Sequence, residues 1–454
     1  MLTCLNLTNF KAWKEVPSMT LAPLTGLFGA NSSGKSSILQ FLLMLKQTAD
    51  SADRGSALQL GDEKSLTSLG TFPDILHKLA TDGGMSFGVR WRSADTIDIK
   101  DPDTDRASLV TSRDMGFDAT LLGNGGGKVS VTRLRYALGD AEFEYAAAPE
   151  PKGFQLTAKS GGFRFVRADG RKWPLPPPVK FYGFADEVRT YHKNAGFLAE
   201  LELQFERMLR AVYYLGPLRE FPKREYTWAG GDPADMGRRG EFAIAAMLAS
   251  RERGERIQRG RGKKRYSLEE YVAHWLQELG LISEFRVEEI AKGTNLYRVK
   301  VRKTPTSPEV LITDVGFGVS QVLPVLVLCY YAPEGSTILF EQPEIHLHPS
   351  VQAGLADVFI DAIRQRGVQI VVESHSEHFL RRLQRQVAEG TRFTADETAL
   401  YFCEIDSGSA KLTKLHVDLY GDIQNWPRDF FGDEMSDIAA RLQAARAKRQ
   451  ASQT

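Results

Sequence analysis

The chain has 454 residues, of which 42% are hydrophobic and 25% charged, and its formal net charge is +1. This composition is typical of a soluble globular protein with two or three subdomains. The small net charge excludes a global attraction to nucleic acid or membranes, so any such binding must be local. Cys4, Cys329 and Cys403 are scattered without C-x-x-C spacing, which predicts a reduced, cytoplasmic chain without disulfides. No apolar run has the length of a membrane span.

The N-terminal residues predict strands followed by a glycine-rich turn and a helix. Apolar residues alternate from Leu2 to Trp13, which indicates a pair of short strands. Residues 24–29 (LTGLFG) form the pattern of another strand, and residues 36–50 have a strong helical pattern. From about 86 to 185 the apolar residues alternate with period two between turn clusters, which predicts a β-rich insertion of hairpins.

Helical patterns dominate the middle of the chain. Residues 173–181 (WPLPPPVKF) predict a stiff, extended linker. Helical patterns then follow at 195–212, 240–250 and 267–280, and strands resume at 285–302.

The C-terminal third predicts strands alternating with helices. A helix begins near Ser320, strands follow at 336–341 and 367–374, and another helix begins near Glu377. The sequence contains neither sustained heptads nor a repeat of 20–50 residues.

Residues 29–36 (GANSSGKS) match the phosphate-binding pattern G-x-x-x-x-G-K-[ST] between a predicted strand and helix. Small residues let backbone N–H groups surround phosphates, and the helix N-terminus adds its dipole. Lys35 is expected to reach the β- and γ-phosphates, and Ser36 to bind Mg²⁺. The expected nucleotide-binding residues of this loop are Gly29, Ala30, Asn31, Ser32, Ser33, Gly34, Lys35, Ser36 and Ser37.

Residues 338–350 (ILFEQPEIHLHPS) predict a strand that ends at Glu341. This acid would hold Mg²⁺, directly or through water, or be a surface carboxylate at a strand end. The next residue is Gln342, whose amide can orient a water molecule but cannot accept its proton. Glu344 is the nearest spare carboxylate. His346 and His348 form an H-x-H pair, but nothing nearby completes a set of metal ligands, so we expect them to shape the turn.

Two further motifs stand at predicted element ends. Ser320 lies within a glycine turn before an apolar helix (DVGFGVSQVLP), where it would bind an anion or act as an ordinary helix N-cap. His375 ends a buried strand (VVESH), where it would stabilise charge near the γ-phosphate or cap the following helix.

Two basic segments are candidate nucleic-acid contacts. Residues 251–265 carry eight Lys or Arg residues against two Glu, and residues 216–226 combine Arg219, Lys223 and Arg224 with aromatic residues. Either segment could grip a phosphate backbone, or be a solvated surface; the second could also contact a partner or the nucleotide.

These motifs, in this order, resemble the ABC-type ATPase heads of the RecF, SMC and OLD (overcoming lysogenization defect) group. The resemblance covers roughly 1–80 and 305–400. It implies an α/β P-loop head, which is a mixed sheet with flanking helices. A β-rich insertion and a helical insertion would lie between its Walker A and signature motifs. The tail, with Trp426-Pro427 followed by two phenylalanines, resembles a module carried by bacterial members. The segments implied are 1–85 and 301–415 for the head, 86–185 and 186–300 for the insertions, and 416–454 for the tail.

By this resemblance, residues 29–36 are the Walker A loop, Glu341 is the Walker B acid, Ser320 the signature serine and His375 the switch histidine. Such heads sandwich two ATP molecules, with Mg²⁺, between two subunits, so ATP joins a homodimer or higher oligomer and hydrolysis releases it.

Two departures modify that expectation. The family pattern has two consecutive acids where this chain has Glu341-Gln342, which predicts slow hydrolysis in which Gln342 places water, as in GTPases, and Glu344 or solvent takes the proton. The expected tail after Trp426 is one helix and a polar end, too short for the nuclease module of OLD enzymes.

Three functions follow from these features. The first is an ATP-dependent switch that dimerises and controls a separate effector, such as a nuclease or toxin, in anti-phage defence. The second is a RecF-like ATPase that senses DNA through 216–226 or 251–265. The third is a scaffold that holds ATP and presents its β-rich insertion to a partner.

Overall fold

The structure of the chain, a computed structural model, describes most of the sequence. The described residues are 1–79, 83–100, 108–124, 128–148, 153–159, 163–170, 173–258, 264–427 and 440–445.

Strands and helices alternate along these residues much as the sequence patterns predict. The strands are β1 (Leu2–Phe10), β2 (Trp13–Thr20), β3 (Leu24–Gly29), β4 (Gly84–Lys100), β5 (Ser108–Asn124), β6 (Lys128–Leu138), β7 (Ala141–Ala148), β8 (Gly153–Lys159), β9 (Val212–Leu215), β10 (Tyr226–Thr227), β11 (Ile257–Gln258), β12 (Arg265–Tyr266), β13 (Glu284–Glu289), β14 (Leu296–Arg302), β15 (Glu309–Leu311), β16 (Thr337–Glu341), β17 (Gln369–Glu373), β18 (Thr398–Asp406) and β19 (Ser409–Leu415). The helices are α1 (Lys35–Asp50), α2 (Phe72–Ile75), α3 (Asp186–Tyr191), α4 (Leu198–Arg210), α5 (Ala243–Glu252), α6 (Leu268–Glu278), α7 (Phe317–Tyr331), α8 (Pro349–Arg366) and α9 (Glu377–Glu389); residues 440–445 are also helical.

The predicted N-terminal strand pair and the predicted β-rich segment form one antiparallel sheet of seven strands, in the order β2-β1-β4-β5-β6-β7-β8. Along β7, buried residues alternate with partly exposed ones, because one face covers a core and the other faces water. Leu7, Phe87 and Ala119 lie side by side on adjacent strands and are all buried. Phe87 also contacts Phe41 of α1, with ring centroids 5.0 Å apart. The P-loop helix is therefore fixed against this sheet.

The proline-rich segment 173–181 anchors the far end of α1. Lys180 is buried, and its Nζ donates hydrogen bonds to the carbonyl oxygens of Ala49, at 2.9 Å, and Ser51, at 2.7 Å. A cation on the last carbonyls of a helix complements its dipole and satisfies acceptors that have no partner within the helix.

A second sheet has six strands in the order β19-β18-β3-β17-β16-β9. The five strands from β18 to β9 are parallel, and only the pairing of β18 with β19 is antiparallel. Every residue of β3 and β17 is buried, as expected of parallel strands covered on both faces. The mixed α/β fold implied by the sequence is confirmed.

Parallel strands bring their carboxyl ends to a common edge, where α/β proteins bind ligands. At this edge, β3 leads into the glycine-rich loop and α1, β16 ends at Glu341, and β17 ends at Glu373. The chain continues from β9 at the same edge into residues 216–226. None of the helices in the described parts of the chain is long and apolar enough to span a membrane.

Candidate functional site

The glycine-rich loop has the backbone geometry that its glycines permit. Gly29 has φ 133°, and a Cβ placed there would lie 2.0 Å from the Cys403 carbonyl oxygen. Gly34 has φ 90° immediately before α1. L-residues rarely adopt such angles. The loop can therefore wrap tightly before presenting the N-terminal N–H groups of α1 to a phosphate.

Lys35 lies inside this loop and is only 2% exposed. Its Nζ donates to the carbonyl oxygens of Gly29, at 3.0 Å, and Ala30, at 2.6 Å, and to Ser33 Oγ, at 3.3 Å. Burial lowers the pKa of Lys35, while neighbouring carboxylates raise it. The ammonium group is thus held at the loop by backbone oxygens that a phosphate can replace as its partners.

Trp13 was not among the sequence-predicted site residues, yet it supports the loop. Its indole Nε1 donates a hydrogen bond of 2.9 Å to the Gly34 carbonyl oxygen, and its ring is buried. Trp13 lies 21 residues before Gly34, so no local pattern signals this contact.

A second carboxylate, also missed by sequence reasoning, lies beside Glu341. Glu373 is its direct neighbour on the adjacent parallel strand. Burial raises the pKa of Glu373 to about 7, with a further contribution from the Glu341 charge, while a hydrogen bond with Ser36 opposes the shift. The sequence did contain a signal that could have identified Glu373: it is an acid at the end of a predicted buried strand, two residues before His375.

Tyr214 orients Glu341. Its hydroxyl donates a hydrogen bond of 2.7 Å to Glu341 Oε2, and burial raises the pKa of Tyr214 further above its ordinary value. A neutral phenol that donates to a carboxylate fixes its orientation, as groups behind metal ligands generally do.

Gln342 and Glu344 lie in the turn that follows β16. Gln342 has φ 45°, an uncommon conformation for a non-glycine residue, and its backbone N–H donates to the Glu373 carbonyl oxygen at 2.9 Å. Glu344 is buried, and its Oε1 accepts a hydrogen bond of 2.6 Å from the backbone N–H of His375. Burial raises the pKa of Glu344. The carboxylate therefore links the turn to the end of β17.

His375 faces the glycine-rich loop. Burial lowers the pKa of His375, Lys35 lowers it further, and a hydrogen bond with the Gly29 backbone raises it. These influences favour a neutral imidazole beside the loop at pH 7. The cap of α9 is instead Ser376, whose side chain accepts from the Phe379 N–H, so the simple capping alternative for His375 does not apply.

Ser320 lies in the first turn of α7 and is buried. Its Oγ donates a hydrogen bond of 2.8 Å to the Phe317 carbonyl oxygen, so the hydroxyl serves its own helix in this chain. His348 caps α8 by accepting from the Ser350 N–H. No group of three or more metal-binding side chains of the His, Cys, Asp and Glu types occurs among the described residues.

The described parts of the basic segment 251–265 are largely neutralised within the chain. Four of its cations, Arg251, Arg253, Arg256 and Lys264, pair with Asp or Glu side chains; residues 259–263 lie outside the described residues. In the segment 216–226, Lys223 pairs with Glu220, at 3.5 Å, and Arg224 with Asp314, at 2.9 Å. Most of the described cations of the two segments are thus paired with acids within the chain.

The residues at the sheet edge fit a magnesium nucleotide. Glu341, Glu373 and the Ser36 hydroxyl supply hard oxygen donors, and Mg²⁺ is usually held by one or two carboxylates together with phosphates. Within the described residues, Glu344 Oε2 and Glu373 Oε2 are buried and lack hydrogen-bond partners. Buried unpaired carboxylate oxygens are costly, and a cation would satisfy them.

The parallel sheet, the glycine-rich loop before α1 and the acid at the end of β16 define a P-loop ATPase head of the ABC type. A family model described as "AAA domain, putative AbiEii toxin, Type IV TA system" matches residues 24–117 and 196–381, more than half of the chain. The chain belongs to this family. A second model, of a protein family of unknown function (DUF3696), matches residues 394–440. No curated protein sequence matches the chain.

Solved structures of SMC head domains are similar to the chain at 10% sequence identity. One is an SMC head bound to the C-winged helix domain of ScpA, with a TM-score of 0.45, covering 92% of this chain and 98% of that one. Another is the SMC head domain from Thermotoga maritima, with a TM-score of 0.42 and coverages of 92% and 99%. A third, derived from Pyrococcus furiosus, has an extended coiled coil and is bound to the C-terminal domain of ScpA, with a TM-score of 0.46 and coverages of 97% and 99%.

Proposed function

We propose that the chain binds Mg²⁺-ATP, hydrolyses it slowly, and dimerises as a switch for a separate effector protein. The observation that carries this proposal is the convergence of the glycine-rich loop, Lys35, and the neighbouring carboxylates Glu341 and Glu373 at one sheet edge. Membership of the AAA-domain family supports nucleotide use.

Each residue of the site has a distinct task in this proposal. The loop amides and Lys35 bind the phosphates, while Ser36, Glu341 and Glu373 hold Mg²⁺, which supplies charge neutralisation when bound. Tyr214 keeps Glu341 in position. His375, neutral beside the loop, would donate a hydrogen bond toward the developing phosphate charge.

Hydrolysis in this proposal depends on Gln342 and Glu344 together. Gln342 orients the attacking water molecule through its amide, and Glu344 takes the proton. Burial raises the pKa of Glu344, which makes its carboxylate a stronger base. Its engagement with the His375 N–H restricts it to one orientation, and this is consistent with slow turnover.

We expect Glu344→Gln to lower the ATP hydrolysis rate about 100-fold, because a positioned general base typically accelerates a reaction by about that factor. ATP affinity should stay within a few-fold of wild type. The glutamine carbonyl can still accept from the His375 N–H, so the turn should keep its shape. Steady-state phosphate release and equilibrium ATP binding measure the two effects. Unchanged turnover would remove Glu344 from the chemistry and leave solvent as the proton acceptor.

The dimer in this proposal is an ATP sandwich in which Ser320 at the start of α7 meets the nucleotide of the other subunit. Aromatic side chains beside this helix start are exposed: Phe317 is 43% and Phe221 70% exposed, with ring centroids 5.7 Å apart. This exposed aromatic pair is available for contact with the other subunit in the proposed dimer.

Solution mass with and without nucleotide tests this switch. We expect the 50.6 kDa chain to be monomeric with Mg²⁺-ADP and to double in mass with Mg²⁺-ATP, most completely in Glu344→Gln, where ATP persists. Light scattering coupled to size exclusion gives the masses. One-chain mass at saturating ATP in both proteins would contradict the dimerising switch.

We propose that this cytoplasmic switch controls an effector in bacterial anti-phage defence. The matched family, whose description names a putative toxin of a toxin–antitoxin system, supports this proposal. A RecF-like DNA-sensing role is less well supported, because the described cations of its two candidate segments are largely paired with acids. Binding of duplex DNA that weakens steeply with salt would favour that alternative.

A further inference from the structure

Arg219 is a buried cation that has no hydrogen-bond partner in the part of the chain that the structure describes. It follows β9 by four residues and is 5% exposed. All three of its guanidinium nitrogens are buried and, within the described residues, lack any hydrogen-bond partner. A buried, unpaired guanidinium carries a large desolvation cost, so its position calls for an anionic ligand.

The location of Arg219 indicates where such a ligand would bind. β9 runs parallel to β16 as its neighbour, so the residues after β9 lie at the edge where Glu341 lies. The charged or polar groups that act on Arg219 are Tyr214, Glu344 and Glu341. Burial lowers the pKa of Arg219 to about 10, and the guanidinium remains charged at pH 7.

Buried groups of both signs lie at this edge. Within the described residues, Glu344 Oε2, Glu373 Oε2 and the Arg219 guanidinium all lack hydrogen-bond partners. An ion pair between Arg219 and Glu344 would satisfy both, yet none is formed in the described residues. A bound metal nucleotide would supply partners to all three: the cation to Glu373, the attacking water to Glu344, and phosphate oxygens to the Arg219 guanidinium.

We propose that Arg219 binds the terminal phosphate of the nucleotide and so makes the site prefer nucleoside triphosphate over diphosphate. This inference rests on the proposed nucleotide-binding function. The planar guanidinium can donate two parallel hydrogen bonds to phosphate oxygens, a geometry that lysine cannot reproduce. Lys35, which follows β3, and Arg219, which follows β9, would then both bind the phosphate.

The test compares affinities for Mg²⁺-ATP and Mg²⁺-ADP in wild type and Arg219→Met by calorimetric titration. We expect ATP affinity to fall at least 10-fold, and ADP affinity to stay within about two-fold, because only ATP carries the terminal phosphate. The melting temperature of the nucleotide-free variant should equal or exceed that of wild type, since an unpaired buried charge is replaced by an apolar side chain.

Arg224→Met is the matched control, because Arg224 lies in the same segment but is exposed and paired with Asp314; both affinities should be unchanged. Equal losses for ATP and ADP, no loss for either, or a lowered melting temperature without nucleotide would overturn the inference. If Arg219→Met fails to fold, Arg219→Lys decides: a reduced preference for ATP supports the inference, and an unchanged preference overturns it. Failure of wild type itself to bind ATP would instead reject the underlying nucleotide-binding function.

Discussion

Lys35→Ala should weaken ATP binding by about 100-fold, because the variant loses charge-assisted hydrogen bonds worth about 3 kcal/mol. Lys35 is held by Gly29, Ala30 and Ser33 in the position where a P-loop lysine reaches phosphates. Its removal should leave the fold intact, since the hydrogen bonds that are lost lie within the loop itself. Titration with ATP in the presence of Mg²⁺ measures the loss.

Lys14→Ala provides the control for Lys35→Ala. Lys14 is an exposed residue of β2, so its removal changes the net charge equally without touching the loop. ATP affinity equal in wild type and in Lys35→Ala would show that the nucleotide binds elsewhere.

Glu373→Gln should stabilise the protein when no metal or nucleotide is present and weaken Mg²⁺-dependent ATP binding. The pKa of Glu373 is raised from 4.5 to about 7 by burial and by Glu341. A group with a raised folded-state pKa contributes stability below its unfolded pKa, and this contribution is lost as the pH rises through the folded value. At pH 8 the ionised carboxylate therefore costs about 3 kcal/mol, which the neutral amide avoids.

The sign of this effect is testable by urea unfolding at several pH values. The advantage of Glu373→Gln in the free energy of unfolding should be largest at pH 8, shrink as the pH falls through 7, and vanish near 4.5. Glu389→Gln, at an exposed position on α9, is the control for the loss of one carboxylate and should not stabilise the protein at pH 8. A variant less stable than wild type at pH 8 would mean that the Glu373 carboxylate is structurally paired rather than reserved for a cation.

The glycine-rich turn before α1 and the acid at the end of β16 were predictable in position, because each is encoded by contiguous residues. The place of Glu373 beside Glu341 was not, because it depends on strand register: only the pairing of β16 with β17 brings the two acids together. Trp13 and Tyr214 act through contacts between residues far apart in the chain, which no local pattern reveals.

The fold shows the same division between local and long-range information. Period-two alternation predicted the β-rich segment, and the helical patterns at 195–212 and 267–280 correspond to α4 and α6. Alternation does not specify strand partners, however. The sequence pattern therefore could not show that β1 pairs with β4, which merges the N-terminal strands and the β-rich segment into one sheet.

ATP turnover by the purified chain, in excess ATP with Mg²⁺ and beside Lys35→Ala, tests the central claim most directly. We expect slow phosphate release by wild type and none by the variant, because Gln342 stands where a second acid would make a fast enzyme. Turnover that persists in Lys35→Ala, or a wild-type protein that neither binds nor hydrolyses ATP, would contradict a nucleotide site at this sheet edge.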